Sequence, residues 1–377
     1  MKPAFLFLLL FAAAPALADA EPADWKLTCS AVAENYANIA FATYSDSLKE
    51  AKKLDETVGV FLQSPSAQSL KAVKQQWIRA RQPYLQTEVF RFYGGPIDGA
   101  DGPETFLNGW PLDENYIEAI LEDEANFPEI TPDLLMRMNE KGGETLISTG
   151  WHAIEFLLWG PDESETGPGN RPVSDFTTAG LADRRGRYLQ TCSELLVKHL
   201  ESLGAEWKPG SKKNYRADFL DDENIGNSVR NLLYGVKTMA GVELGGERLL
   251  VPWDTQFQED EHSCFSDTTP QDMLFDAKGI ENLFFGKYAR LDGRPIEGPG
   301  LRKLAAASDP ELAALLEKNI AAMMAAVKAI PRPFDQAILG ERDSAERRKI
   351  LRCVEILEDQ ADLWTRLERA VAGKAGR

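Results

Sequence analysis

Gly150-Trp151-His152-Ala153-Ile154-Glu155-Phe156-Leu157-Leu158-Trp159-Gly160 is the stretch whose reading decides the fold. Together with the residues from Glu144 it reads as a short, very apolar helix that Gly160-Pro161 stops. His152 and Glu155 stand three apart, so both side chains leave one helix face. Neighbours this apolar predict a helix buried on most sides. The end of the stretch recurs: Ile154-Glu155-Phe156-Leu157-Leu158-Trp159-Gly160 matches Ile280-Glu281-Asn282-Leu283-Phe284-Phe285-Gly286 as I-E-x-L-x-x-G. Two apolar helix ends can match by chance, but the shared Glu inside an apolar run favours duplication, and so two related helical bundles with a boundary near residue 205. The position matching His152 is Lys278, so only the first copy keeps a histidine.

Outward from this stretch the periodicity is helical almost throughout. Ala31 to Leu62, Ser69 to Phe92 (kinked at Pro83) and Asp113 to Glu124 carry apolar residues at three- and four-residue steps. So do Pro132–Asn139, Phe176–Leu203, Asn224–Leu244, Pro270–Phe285, Glu311–Ile330 and Ala345–Val371. No convincing run of alternating β-branched residues occurs. The expected class is all-α, two bundles with long loops, the first over 21–205 and the second over 206–377. The chain has 377 residues, with 42 basic and 59 acidic side chains and a formal charge of −17. That balance argues against nucleic acid or an anionic membrane surface as partner. Residues 1–20 hold a basic Lys2, an apolar run from Phe5 to Ala14 and two A-x-A sites, the pattern of a cleaved secretory signal peptide. No later segment is long and apolar enough to span a bilayer, which predicts a periplasmic or secreted mature chain. Cys29, Cys192, Cys264 and Cys353 are then expected as two disulfides; one pair in each half, Cys29–Cys192 and Cys264–Cys353, is the simplest of three connectivities.

Four stretches could carry chemistry. A buried Glu155 needs compensation, from a metal ion shared with His152 or from an arginine, and spacing alone leaves both open. Trp77, Arg81, Tyr84 and Glu88 form one stripe by steps of four, three and four. Glu88 is a candidate third ligand, with Arg81, Tyr84 and Trp77 supporting the ligands from behind; an Arg81 ion pair to Glu155 or Glu88 is the other reading. In the loop Gly94–Pro103, Asp98 and Asp101 could offer oxygens to a hard cation, although such loops are usually plain turns. Glu259-Asp260-Glu261-His262 could hold a second cation, or be a solvated acidic loop. With three histidines and no H-E-x-x-H, the usual helix-borne zinc peptidase site is missing.

The string at Gly150–Gly160 resembles the G-x-H-x-x-E signature of the imelysin-like family. Ala80–Phe90, as A-R-x-x-Y-x-x-x-E-x-F, and Gly94–Asp98, as G-G-P-I-D, resemble its iron-regulated protein A branch. The resemblance covers the whole mature chain. It implies two related α-helical bundles and a periplasmic protein linked to iron uptake, with His152, Glu155 and Glu88 at the metal. The implied ligand is iron, with zinc as the alternative, as a free ion or a chelate, and the implied partner is an iron-transport membrane protein. The family also carries a metallopeptidase label. A catalytic zinc site wants about three protein ligands, an open water position and a base. His152, Glu155 and Glu88 would supply the ligands and leave no separate base.

Overall fold

The structure, a computed structural model, describes residues 22–164 and 166–375. The expected signal peptide over residues 1–20 lies outside them. The chain opens with a long helix α1 (Pro22–Gln63), on which Ala33, Ala37, Ala40 and Tyr44 form one completely buried stripe. Ser66 starts α2 (Ala67–Leu85) by a reciprocal cap: its Oγ accepts from the Ser69 N–H, and Ser69 Oγ accepts from the Ser66 N–H. Short helices α3 (Glu104–Asn108), α4 (Glu114–Glu122) and α5 (Pro132–Met138) lead to α6 (Gly150–Trp159) and the long α7 (Ala182–Trp207). The second half runs through α8 (Tyr215–Phe219), α9 (Ile225–Thr238), a π-helical segment (Met239–Leu250) and α10 (Val251–Thr255). It continues with α11 (Thr269–Phe285), α12 (Leu301–Ser308), α13 (Pro310–Lys328), α14 (Phe334–Ile338) and α15 (Ala345–Ala375).

The all-α class is correct, with one addition. Residues 287–289 and 295–297 pair as a small antiparallel ribbon, Tyr288 opposite Ile296, which no alternating pattern announced. In the first half α1 packs on α2 and α7, and α6 on α2, α3 and α7. In the second, α15 packs on α9, α13 and the π segment. The halves also touch directly, α1 against α9 and α2 against α11. The boundary expected near 205 falls in the last turn of α7.

Two expectations need correction. The helix expected over Ser69–Phe92 stops at Leu85, because Pro83 has no N–H to continue the ladder and its ring crowds the preceding turn. Glu88 therefore sits in a separate 3₁₀ turn, Glu88–Phe90, off the helix that carries Trp77, Arg81 and Tyr84. The four cysteines form no disulfide: all are free and buried. Cys192 Sγ points at the Ser148 carbonyl and Cys264 Sγ at Glu259. Burial pushes the thiols of Cys29 and Cys353 up to about 11 and about 12.

Candidate functional site

α6 is fully buried from Gly150 to Trp159, as its composition requires. Gly160, at φ 76, closes it by donating its N–H to the Phe156 carbonyl. Within it His152 and Glu155 do share a face: His152 Nδ1 lies 3.0 Å from Glu155 Oε2. The other carboxyl oxygen accepts from the Ser266 backbone N–H at 3.0 Å and its hydroxyl at 2.6 Å. Burial pushes Glu155 up to about 8, against the pull of the Ser266 hydrogen bonds and Arg81. Burial, with Arg81 and His262 nearby, keeps His152 neutral. Its Nε2 is buried and has no hydrogen-bond partner.

The second histidine comes from the acidic run at 259–262. The His262 ring meets His152 edge to face, with centroids 4.8 Å apart, and Trp110 lies 4.7 Å from the His152 ring. His262 Nδ1 is 2.8 Å from Asp272 Oδ2, which also accepts from Ser263 Oγ at 2.6 Å and Arg81 Nη2 at 2.8 Å. A neutral imidazole satisfies that carboxylate by donating from Nδ1, which leaves Nε2 as the lone-pair nitrogen. Asn108 faces this nitrogen with its amide Nδ2 at 3.4 Å, while its Oδ1 accepts from Arg81 Nη1 at 2.5 Å. So each histidine is held at Nδ1 by a carboxyl group, and neither Nε2 carries a strong hydrogen bond. Asp272 holds the His262 ring as a carboxylate holds a metal-bound imidazole; Glu155, pushed up to about 8, keeps its proton near neutral pH and can donate it to His152 Nδ1.

The α2 stripe packs around Arg81. Arg81 is fully buried, with its guanidinium over the faces of Trp77, Tyr84 and Trp151 at 5.4 to 5.8 Å. Trp77 donates its indole N–H to the Trp151 carbonyl, tying α2 to α6. Glu88 is brought to arginines: its Oε2 accepts from Arg91 Nη1 and Arg248 Nη2, both at 2.6 Å, and from Asn108 Nδ2 at 3.3 Å. Those two cations outweigh the cost of burial and hold Glu88 down at about 2. Asp98 is spent on its own loop, accepting from the Phe92 and Gly95 N–H groups, and Asp101 is exposed.

Sequence reasoning missed three contributors to this site. Asp272 and Asp276 stand four apart on α11, both fully buried, and that spacing on an apolar helix was the available signal. Arg248 could not be placed by α-helical spacing. It donates to Asp276, Glu88 and Glu243, and Glu243 lies five residues before it on the π segment. A π turn closes from i to i+5, here from the Val251 N–H to the Gly246 carbonyl, so positions five apart share a face. His262 also lines a cleft of about 350 Å³ that opens to solvent. No three His, Cys, Asp or Glu side chains among the described residues are placed to hold a metal ion by themselves. The two imidazoles meet edge to face, and among the described residues no third such side chain beside them is placed to share a metal.

The imelysin family model matches residues 40–363. Iron-regulated protein A of Synechococcus elongatus is 24% identical over 311 residues, covering 81% of this chain and 76% of that protein. A crystal structure from Parabacteroides distasonis, named as an iron-regulated protein A precursor, superposes with a TM-score of 0.73 at 21% identity. It covers 92% of this chain and 95% of its own. An imelysin-like protein from Psychrobacter arcticum superposes with a TM-score of 0.61 at 14% identity, covering 92% of this chain and 94% of its own.

Proposed function

Because the chain belongs to the imelysin family, we propose that it is an extracytoplasmic metal-binding protein taking part in iron uptake, holding the metal at the His152–His262 pair. The observation that carries this is His152. Its imidazole is 0% exposed, oriented through Nδ1 by Glu155, and its Nε2 is without a partner. An orphaned buried nitrogen costs free energy unless something meets it, and a metal is one partner that would meet it. The residues fit that role with a changed division of labour. His152 and His262 offer nitrogens, Glu155 and Asp272 orient them, and Glu88 anchors the arginines beside them. Imidazole suits iron as well as zinc. Iron is favoured by the name of the cyanobacterial relative. Location outside the cytoplasm rests on the signal-like residues 1–20, in keeping with a relative named as a precursor. The metallopeptidase alternative finds less support, since His152 and Glu155 are both completely buried.

Binding to the native state alone raises stability with ligand concentration, by about 2.7 kcal/mol at a hundred times Kd. Iron or zinc titrated into chelator-free, untagged protein should raise the melting temperature of the wild type and leave His152→Ala unmoved. Equal shifts in both proteins would place the cation elsewhere and reduce His152–Glu155 to a core hydrogen bond.

A further inference from the structure

We infer that, whatever the histidine pair binds, Asp162 and Asp267 share a proton and so latch the segment carrying His262 onto the end of α6, and that raising the pH releases it. The segment is the connection between α10 and α11, which brings His262 against His152. Asp162 follows the Gly160-Pro161 stop of α6 and is 6% exposed. It holds the segment at two places, Gln258 and Asp267, on either side of His262. Its Oδ2 accepts from the Gln258 amide at 2.8 Å, and its carboxyl group hydrogen-bonds the Asp267 carboxyl. Its Oδ1 accepts from the Ser164 N–H at 3.0 Å. Between those two places, the Phe265 carbonyl accepts from the Gly169 N–H at 2.9 Å, and Ser266 donates to Glu155. The Phe265 ring lies on Phe156, with centroids 5.3 Å apart.

Two carboxyl groups can hydrogen-bond only if one of them keeps a proton. Both Asp162 oxygens accept from N–H groups, so Asp162 is the ionised partner and Asp267 brings the proton. Burial first, then Asp335 and Asp162, push Asp267 up to about 7. The groups facing the pair are all carboxyls: Glu259 and Glu261 from the same segment, and Asp335 from α14. No lysine, arginine or histidine among the described residues pairs with Asp162, Asp267 or Glu261. When the proton leaves, two like charges meet at close range with more of the same sign behind them. The folded value lies above the ordinary 3.8, so the latch contributes fully below pH 3.8 and is lost as pH rises through 7. Its loss frees the segment that carries His262 and the Ser266 hydrogen bonds to Glu155.

The test is amide hydrogen exchange of the whole, metal-free chain, read by mass spectrometry on peptides from residues 258–268 and corrected for the intrinsic pH dependence of exchange. Asp267→Asn keeps a hydrogen bond to Asp162 through its amide, tolerates the φ of +54 and has no proton to lose. Glu155 titrates in both proteins and cancels in their ratio. From pH 6 to pH 8.5 the protection of wild type should fall about tenfold relative to Asp267→Asn. Asp162→Asn removes the repulsion from the other side and should flatten the profile in the same way; it is the readout if Asp267→Asn does not fold. A wild-type protection whose ratio to either folded variant stays constant with pH overturns the inference. So does wild-type protection that ignores pH and falls when calcium is chelated, which would make the carboxyl cluster a cation site.

Discussion

At the scale of the residue, the His152–Glu155 contact is a pair held far from its solution chemistry. Glu155 has an ordinary value of 4.5 and is pushed up to about 8, chiefly by burial. Between those two values the folded protein keeps a proton that the unfolded chain has lost. Its contribution to stability is therefore complete below about pH 4.5 and is lost as pH rises through 8. The melting temperature of metal-free protein should fall from pH 5 to pH 8.5, and Glu155→Gln, neutral at every pH, should make that fall shallower. Parallel profiles for the two proteins would mean that Glu155 is ionised in the fold. This pair was legible, because an H-x-x-E on an apolar helix has little choice of geometry. Glu155 and Arg81 were legible only as alternatives, ion pair or ligand. Arg81 in fact goes to Asp272, a residue 191 positions away in sequence. His262 was noticed and its place was not, since an acidic run ending in His looks the same whether it folds inward or faces water.

At the scale of the element, α6 depends on its first residue. Gly150 sits at φ +89, and a Cβ there would lie 2.5 Å from the Leu107 carbonyl oxygen, a backbone atom that cannot swing away. Gly150→Ala adds left-handed strain to a backbone clash and should cost about 2 kcal/mol or more, read from denaturant unfolding. A loss under about 0.5 kcal/mol would show that the Leu107 segment yields easily. Helix positions were readable from apolar spacing, but their ends and their pitch were less so. The helix expected over Asn224–Leu244 keeps its α form only to Thr238 before the π turns begin. There Gly241 and Gly245 let α15 approach: a Cβ on the first would meet Ala361 at 2.7 Å, and one on the second would meet Leu357 at 3.2 Å. A rule built on 3.6 residues per turn cannot place Arg248 on the face of Glu243.

At the scale of the molecule, the site is a joint between the two halves of the chain. Arg81 to Asp272, Arg248 to Glu88 and Glu155 to Ser266 all cross it. Arg248→Ala would leave Asp276 and part of Glu88 buried without a cation and should destabilise the protein by about 3 kcal/mol or more, seen as a lower denaturant midpoint. A change below about 1 kcal/mol would mean that Arg91 alone can hold the cluster. The two I-E-x-L-x-x-G stretches both end their helices at glycines of positive φ, Gly160 and Gly286. Their company differs: Glu155 is buried with His152 and Ser266, whereas Glu281 pairs with Lys278 near the surface. One sequence cannot reveal that the first copy's histidine is completed by a loop of the second half, because that meeting exists only in three dimensions.

The four free thiols make the molecule its own stopwatch. Burial keeps each of them protonated and out of reach, so a thiol reagent can react only during the moments when that part of the fold breathes. Cys264 lies two residues past His262, and Cys353 sits on α15. Labelling of the first times the joint around the histidines; labelling of the second times α15. A cation clasped by the pair would slow the Cys264 clock and leave the other running.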